Sequence, residues 1–213
     1  KHCNMELSLT RPLCFFDLET TGVNVAKDRI VEISILKVFP NGNKEAKTWL
    51  VNPEMPIPPQ TTAVHGITDE KVANEPTFKQ LSKQVNDMIK GSDLAGFNSD
   101  RFDIPLLAEE MLRAGIDVDF KKQLTVDVQT IFHKMEKRNL SAAYSFYCGK
   151  NLENAHSAAA DTTATYEVLK AQIEKYDELE NDVVKLSAFS TRRKSIDFAG
   201  FILADDDGEP SFS

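Results

Sequence analysis

An apolar run with two carboxylates in its second half, Leu13-Cys14-Phe15-Phe16-Asp17-Leu18-Glu19, predicts a first strand. Strand side chains alternate between faces, so Asp17 and Glu19 project from the same side. Thr20, Thr21 and Gly22 read as the turn that ends the strand, with Gly22 expected at positive φ. Residues 29–39 then set Ile30, Glu32 and Ser34 against Val31, Ile33 and Ile35, a second strand. Pro40-Asn41-Gly42-Asn43 turns it into a third over residues 44–51. The proline-rich residues 53–59 cannot join a ladder and predict a rigid, extended loop. Residues 61–65 suit a short helix, and Thr68-Asp69-Glu70 the capped start of another.

Thr77 caps a helix whose face carries Phe78, Leu81, Val85, Met88 and Ile89 and which ends at Gly91. A strand over residues 93–97 follows. Asn98-Ser99-Asp100-Arg101-Phe102-Asp103 then leads into a helix through Leu106, Leu107, Met111 and Leu112, stopped by Gly115. Residues 124–128 predict a short strand and residues 128–135 a helix. The stretch through Cys148 is weakly patterned, and residues 156–161 open a last strong helix with Ala164, Val168, Leu169 and Ile173 on its apolar face. This order describes an α/β fold: a mixed five-stranded sheet flanked by helices. After residue 176 the character changes. Val183, Val184 and Leu186 predict one more helix, followed by the basic run Arg192-Arg193-Lys194. Residues 198–203 and 210–213 look like a hairpin around Asp205-Asp206-Asp207-Gly208, its second strand cut short as in a truncated chain.

The 213 residues, with 41% hydrophobic and 27% charged content, fit one domain over residues 11–176 and a short acidic extension over residues 177–213. No stretch reaches the roughly 18 apolar residues of a membrane span. Residues 1–11 lack the apolar centre of a signal peptide, and Met5 suits a natural start that would make residues 1–4 a leftover. Cys3, Cys14 and Cys148 form no CxxC pair, which indicates a reducing, cytoplasmic setting and no cysteine-built zinc site. A net charge of −8 argues against tight binding of long duplexes. Residues 177–213 hold nine acids and four bases, so the main body is nearly balanced, with 24 acids against 21 bases.

Three separated segments place an acid beside apolar residues at an element boundary: Asp17 with Glu19, Asp103, and Asp161 with His156 just upstream. A lone Asp at a helix start is usually an N-cap, and a lone His usually packs or faces solvent. Two acids held as close as Asp17 and Glu19 raise each other's pKa unless a cation lies between them, and hard divalent cations take carboxylate oxygens.

Phe16-Asp17-Leu18-Glu19-Thr20-Thr21-Gly22, Asn98…Phe102-Asp103 and His156-Ser157-Ala158-Ala159-Ala160-Asp161 resemble the three exonuclease motifs of the DEDDh 3′–5′ exonucleases. That group includes the proofreading epsilon subunit of bacterial DNA polymerase III. The resemblance spans about residues 11–176 and implies a ribonuclease H-like fold. His156 stands five residues before Asp161, whereas the sister DEDDy group carries a tyrosine four before, where this chain has Ser157. His65-Gly66-Ile67-Thr68 matches a loop found in these domains near the bound 3′ end, and Asp127 a further acid often seen there. Many relatives place the second-motif Asn four residues before the Asp; Asn98 lies five before Asp103.

The resemblance implies hydrolysis of phosphodiester bonds from the 3′ end of single-stranded DNA or RNA, releasing nucleoside monophosphates. It implies two divalent metal ions, Mg²⁺ or Mn²⁺, held by Asp17, Glu19, Asp103 and Asp161, with Asp17 shared between them and His156 as the general base. Thr20, His65, Asn98 and Phe102 are the expected substrate contacts, and Phe97 and Ile67 join His65 and Phe102 as candidates to wedge or stack terminal bases. The expected partners are single-stranded 3′ ends and no membrane, with a polymerase as an unproven further partner. A catalytically silent nucleic-acid-binding or adaptor protein is the rival of another class. A phosphatase with an Asp-x-Asp nucleophile is a poorer one, because its third position is Glu19.

Overall fold

The computed structural model describes residues 5–118, 120–191, 202–204 and 210–212, the last two segments by backbone alone. They fall into two compact units, one running up to Thr130 and including the C-terminal strands, the other beginning at Ile131.

The first unit is built on a five-stranded mixed sheet. β1 (Leu13–Thr20), β2 (Ile30–Val38) and β3 (Lys44–Leu50) form an antiparallel meander. β4 (Asp93–Gly96) and β5 (Thr125–Asp127) add in parallel, giving the order β3-β2-β1-β4-β5. β1 is therefore the central strand. One of its faces, Cys14, Phe16 and Leu18, is buried in the main core with Ile33, Ile35, Trp49 and Leu94. The other face carries Phe15, Asp17 and Glu19.

Helices supply the remainder of that core through residues three or four apart, one stripe of each helix surface. α3 (Phe78–Ile89) contributes Phe78, Leu81, Val85, Met88 and Ile89. Thr77 starts it with a reciprocal cap: its hydroxyl accepts from the Gln80 N–H while the Gln80 side chain accepts from the Thr77 N–H. α4 (Ile104–Arg113) contributes Leu106, Leu107 and Met111, while Leu112, expected on the same face, is 69% exposed. A second small cluster gathers Val31, Ile57 and Ile67, the latter two flanking α1 (Pro59–His65), with Val72 of α2 (Asp69–Val72).

The second unit opens within α5 (Val128–Met135), then α6 (Leu140–Cys148), α7 (Ala158–Lys175) and α8 (Val183–Ser190). α6 was not expected. It packs on α7, where Tyr144 donates a hydrogen bond to Glu167 and the Tyr147 and Tyr176 hydroxyls meet at 3.0 Å. The Tyr144 bond holds the Glu167 carboxyl below its ordinary pKa and pushes the phenol up to about 12. The expected hairpin of the extension is present as β6 (Ile202–Ala204) paired antiparallel with β7 (Pro210–Phe212); its turn and the run Arg192-Arg193-Lys194 lie outside the described residues.

Candidate active site

β1 delivers Asp17 and Glu19 to one face, as its alternation requires. Opposite them on β2 stand Ser34 and Glu32, and the pairing slips between Glu19 and Thr20. Asp17 keeps contact with solvent, yet partial loss of hydration still raises its carboxyl pKa. Burial raises Glu19 as well, and the charges of Asp17 and Glu32 add to it.

Asp103 arrives from the neighbouring strand. β4 ends at Gly96, where a Cβ would come within 2.6 Å of the Ser99 Cβ, so the chain can turn tightly there only without a side chain. Asn98 takes the left-handed conformation, and Ser99–Asp103 form a single π-helical turn closed by the Ile104 N–H on the Ser99 carbonyl. Asp103 is 5% exposed, and its pKa is pushed up to about 8. Burial is the main cause, followed by the charges of Asp17, Glu19 and Asp127. The first unit thus brings Asp17, Glu19 and Asp103 into one electrostatic group.

Asp127 has a different task. Its carboxylate accepts from the backbone N–H groups of Asn98 (2.9 Å), Asp100 (3.2 Å) and Gln129 (3.1 Å), and so pins the second-motif turn to β5. Asp28 does the same for the first motif. It is buried, and it accepts from the Thr21 hydroxyl at 2.9 Å and the Asn24 N–H at 2.8 Å. This corrects the expectation for Gly22, which does not adopt positive φ. A Cβ there would lie 2.6 Å from an Asp28 carboxylate oxygen, so glycine is needed for space.

The expected substrate contacts have internal partners. The Thr20 hydroxyl donates to the Gly22 carbonyl. His65 Nδ1 accepts from the Ile67 N–H at 3.1 Å, which puts the proton on Nε2, and Nε2 donates to the Thr20 carbonyl at 3.0 Å. The His65 loop is thereby tied to the end of β1, beside Glu19. Asn98 holds its place through its backbone. Phe102 and Ile67, at 9% and 2% exposed, pack in the two cores. Phe97, at 60% exposed, is open to solvent.

In the second unit, His156 is exposed in a turn before α7 with φ at 74°, a region that non-glycine residues enter rarely and histidine, asparagine and aspartate most readily. Asp161 lies in the first turn of α7. Its backbone N–H bonds the Ser157 carbonyl at 2.9 Å, and its Oδ1 is buried without a hydrogen-bond partner. An orphaned carboxylate oxygen is costly in isolation and fits a cation ligand. Among the described residues no three His, Cys, Asp or Glu side chains stand ready to close around an ion. The donor chemistry nevertheless fits one: all-oxygen, anionic and crowded enough to hold a proton on Asp103 near pH 8.

A mixed sheet in the order β3-β2-β1-β4-β5 flanked by helices is a ribonuclease H-like fold, and here acids stand at the end of its central strand and on the turn after the adjacent one. The model of the exonuclease family (RNase_T) matches residues 14–169, and the chain belongs to that family. Among its relatives, a DNA polymerase III subunit epsilon-like protein of Rhodobacter capsulatus is 32% identical over 158 residues, 71% of this chain and 22% of that protein. The DNA polymerase III subunit epsilon of Treponema pallidum is 27% identical over 193 residues, 85% of each chain. The PolC-type DNA polymerase III of Clostridium perfringens is 29% identical over 76% of this chain, which spans 11% of its length. Among solved structures, the E. coli exonuclease I complex with single-stranded DNA matches with a TM-score of 0.55 and 18% identity, covering 78% of this chain and 41% of that one, and shares its fold.

Proposed function

We propose that this protein is a metal-dependent 3′–5′ exonuclease that hydrolyses the terminal phosphodiester bond of single-stranded DNA or RNA. The observation that carries the reading is the group Asp17, Glu19 and Asp103, in which burial and then the neighbouring charges push Asp103 up to about 8. Family membership, and a relative named 3′–5′ exonuclease DinG, support the direction. Residues 11–176 form the catalytic domain in this reading, with residues 177–213 as an acidic extension.

Asp17, Glu19, Asp103 and Asp161 would hold two divalent ions, Mg²⁺ or Mn²⁺. When bound, these ions would offset the charge of the phosphodiester and of the departing 3′ oxygen. The chain's own groups do the rest. His156, assigned by its motif position, takes the proton from the attacking water at its imidazole, and its exposure leaves that ring accessible. The His65–Thr20 bond fixes the edge against which the 3′ end rests. Phe97 offers the exposed ring on which a terminal base stacks.

The test uses end-labelled DNA and RNA oligonucleotides with Mg²⁺, Mn²⁺ or EDTA. Mononucleotides should appear only with metal, a 3′ block should stop the reaction, a 5′ block should not, and Asp17→Ala should abolish it. Cleavage of a closed single-stranded circle, or undiminished digestion by Asp17→Ala, refutes the proposal.

A further inference from the structure

Glu110 on α4 has a side chain only 1% exposed, and it accepts from two guanidinium groups, Arg29 Nε and Arg113 Nη1, the latter at 2.9 Å. Arg113 Nη2 continues to the Ala26 carbonyl. Apolar residues of the same volume often stabilise a fold as well as or better than a buried ion cluster, so a carboxylate buried this deeply between two arginines invites a role besides stability. Such a cluster does fix distance and orientation, because the planar guanidinium fork bonds along set directions.

The elements it joins give that fixing a purpose. Arg29 closes the turn after β1: its N–H donates to the Thr21 hydroxyl at 3.0 Å, and its carbonyl accepts from the Thr21 N–H at 2.9 Å. Thr21 is two residues from Glu19. The Asn24 side chain gathers the N–H groups of Ala26 and Lys27, at 3.0 and 3.1 Å, so the Arg113 bond to Ala26 grips a turn that is already ordered. On the other side, Glu110 lies about two helical turns beyond Asp103 on a continuous helical backbone. One buried carboxylate therefore connects the strand end carrying Asp17 and Glu19 to the helix that starts at Asp103. When Asp103 ionises to take a cation, three like-charged carboxylates push these elements apart, and the cluster opposes that push.

Resting on the exonuclease reading above, we propose that Arg29, Glu110 and Arg113 are positioning residues that keep Asp103 beside Asp17 and Glu19, so that the three can close on a divalent cation.

The experiment measures Mn²⁺ binding by calorimetry, and kcat and KM on a short oligonucleotide, for the full chain and for Arg113→Met, Arg29→Lys and Glu110→Gln. Arg113→Met removes the grip on Ala26 and leaves Arg29 on Glu110. It should fold with wild-type circular dichroism, bind Mn²⁺ roughly tenfold more weakly and lose roughly tenfold in kcat, the lower end of the range for residues that orient metal ligands. Its KM should stay nearly unchanged. Arg29→Lys keeps the charge and loses the fork, and should fall between Arg113→Met and wild type. Wild-type Mn²⁺ affinity and kcat in Arg113→Met, with a lowered melting temperature alone, overturn the positioning role; this holds even if Glu110→Gln fails to fold. An absence of Mn²⁺ binding by the wild-type chain overturns the underlying reading as well, which separates the two failures.

Discussion

Asp103→Asn should stabilise the metal-free protein at pH 8 while destroying its metal-dependent activity. The folded protein holds the Asp103 proton up to about pH 8, whereas the unfolded chain releases it near the ordinary value of 3.8. Between those values the native state binds more protons, so this contribution to stability is complete below about pH 4 and declines as pH rises to 8. Each unit is worth about 1.4 kcal/mol, which sets a ceiling of roughly 6 kcal/mol. Rotation of the carboxylate toward water and recruitment of counter-ions reduce this, and about 2–3 kcal/mol is the expected difference. Asparagine is neutral throughout and should show no such decline. For a chain of this size 1 kcal/mol moves the melting temperature by about 2–4 °C, so wild type should lose about 5–10 °C relative to the variant between pH 5 and pH 8. Thermal unfolding followed by circular dichroism in EDTA at pH 5, 6, 7 and 8 measures this. Adding Mg²⁺ at pH 8 should restore wild type far more than the variant. Parallel pH profiles for the two proteins would refute the claim that Asp103 is held protonated by its neighbours.

Two further outcomes follow from the site. His156→Ala should keep Mn²⁺ affinity by calorimetry but lose roughly 10²–10⁴-fold in single-turnover rate, while His133→Ala changes little. Asp127→Ala sets two effects against each other: it relieves charge on Asp103, but leaves the Asn98, Asp100 and Gln129 N–H groups without their acceptor. Hydrogen bonds to a charged acceptor contribute about 1.5–3 kcal/mol each, so a net loss of about 3 kcal/mol is expected, and an unchanged or raised melting temperature would show that charge relief dominates.

Local signals account for what was legible. The β1–β3 meander follows from alternation and the Asn41-Gly42 turn, and α3 from its Thr77 cap and apolar stripe, each written within a dozen residues. α6 was missed because Leu140–Cys148 is apolar on most sides and shows no single stripe; its signs are the Asn139 side chain capping Ala142 at 2.9 Å and Gly149 in the left-handed conformation at its end. The acids of the site were legible as chemistry, but their supports were not. Asp127 stood out only by its match to the family, not by a pattern that gives its task; Asp28 and Glu110 look like surface acids in sequence, and Glu110 is buried where Arg29, 81 positions away, and Arg113 meet it. The same limit applies to Phe102: periodicity says that a residue faces inward or outward, not whether a base or the core receives it.

The irregular spacing of the second motif has a local physical cause. An ordinary α-helical turn would close the Ile104 N–H on the carbonyl four residues back; here it reaches five back, to Ser99. The wider turn accommodates the five residues from Ser99 to Asp103 and leads directly into the helix that follows. Asn98 absorbs the change of direction at φ 60°, a conformation asparagine tolerates better than most residues, and Asp127 holds that corner by its N–H. Asp103 is thus placed by the start of α4 behind it and by the Asp127-anchored corner before it. The place of Asp103 thus depends on a backbone that widens one turn where Gly96, lacking a Cβ, leaves room for Ser99.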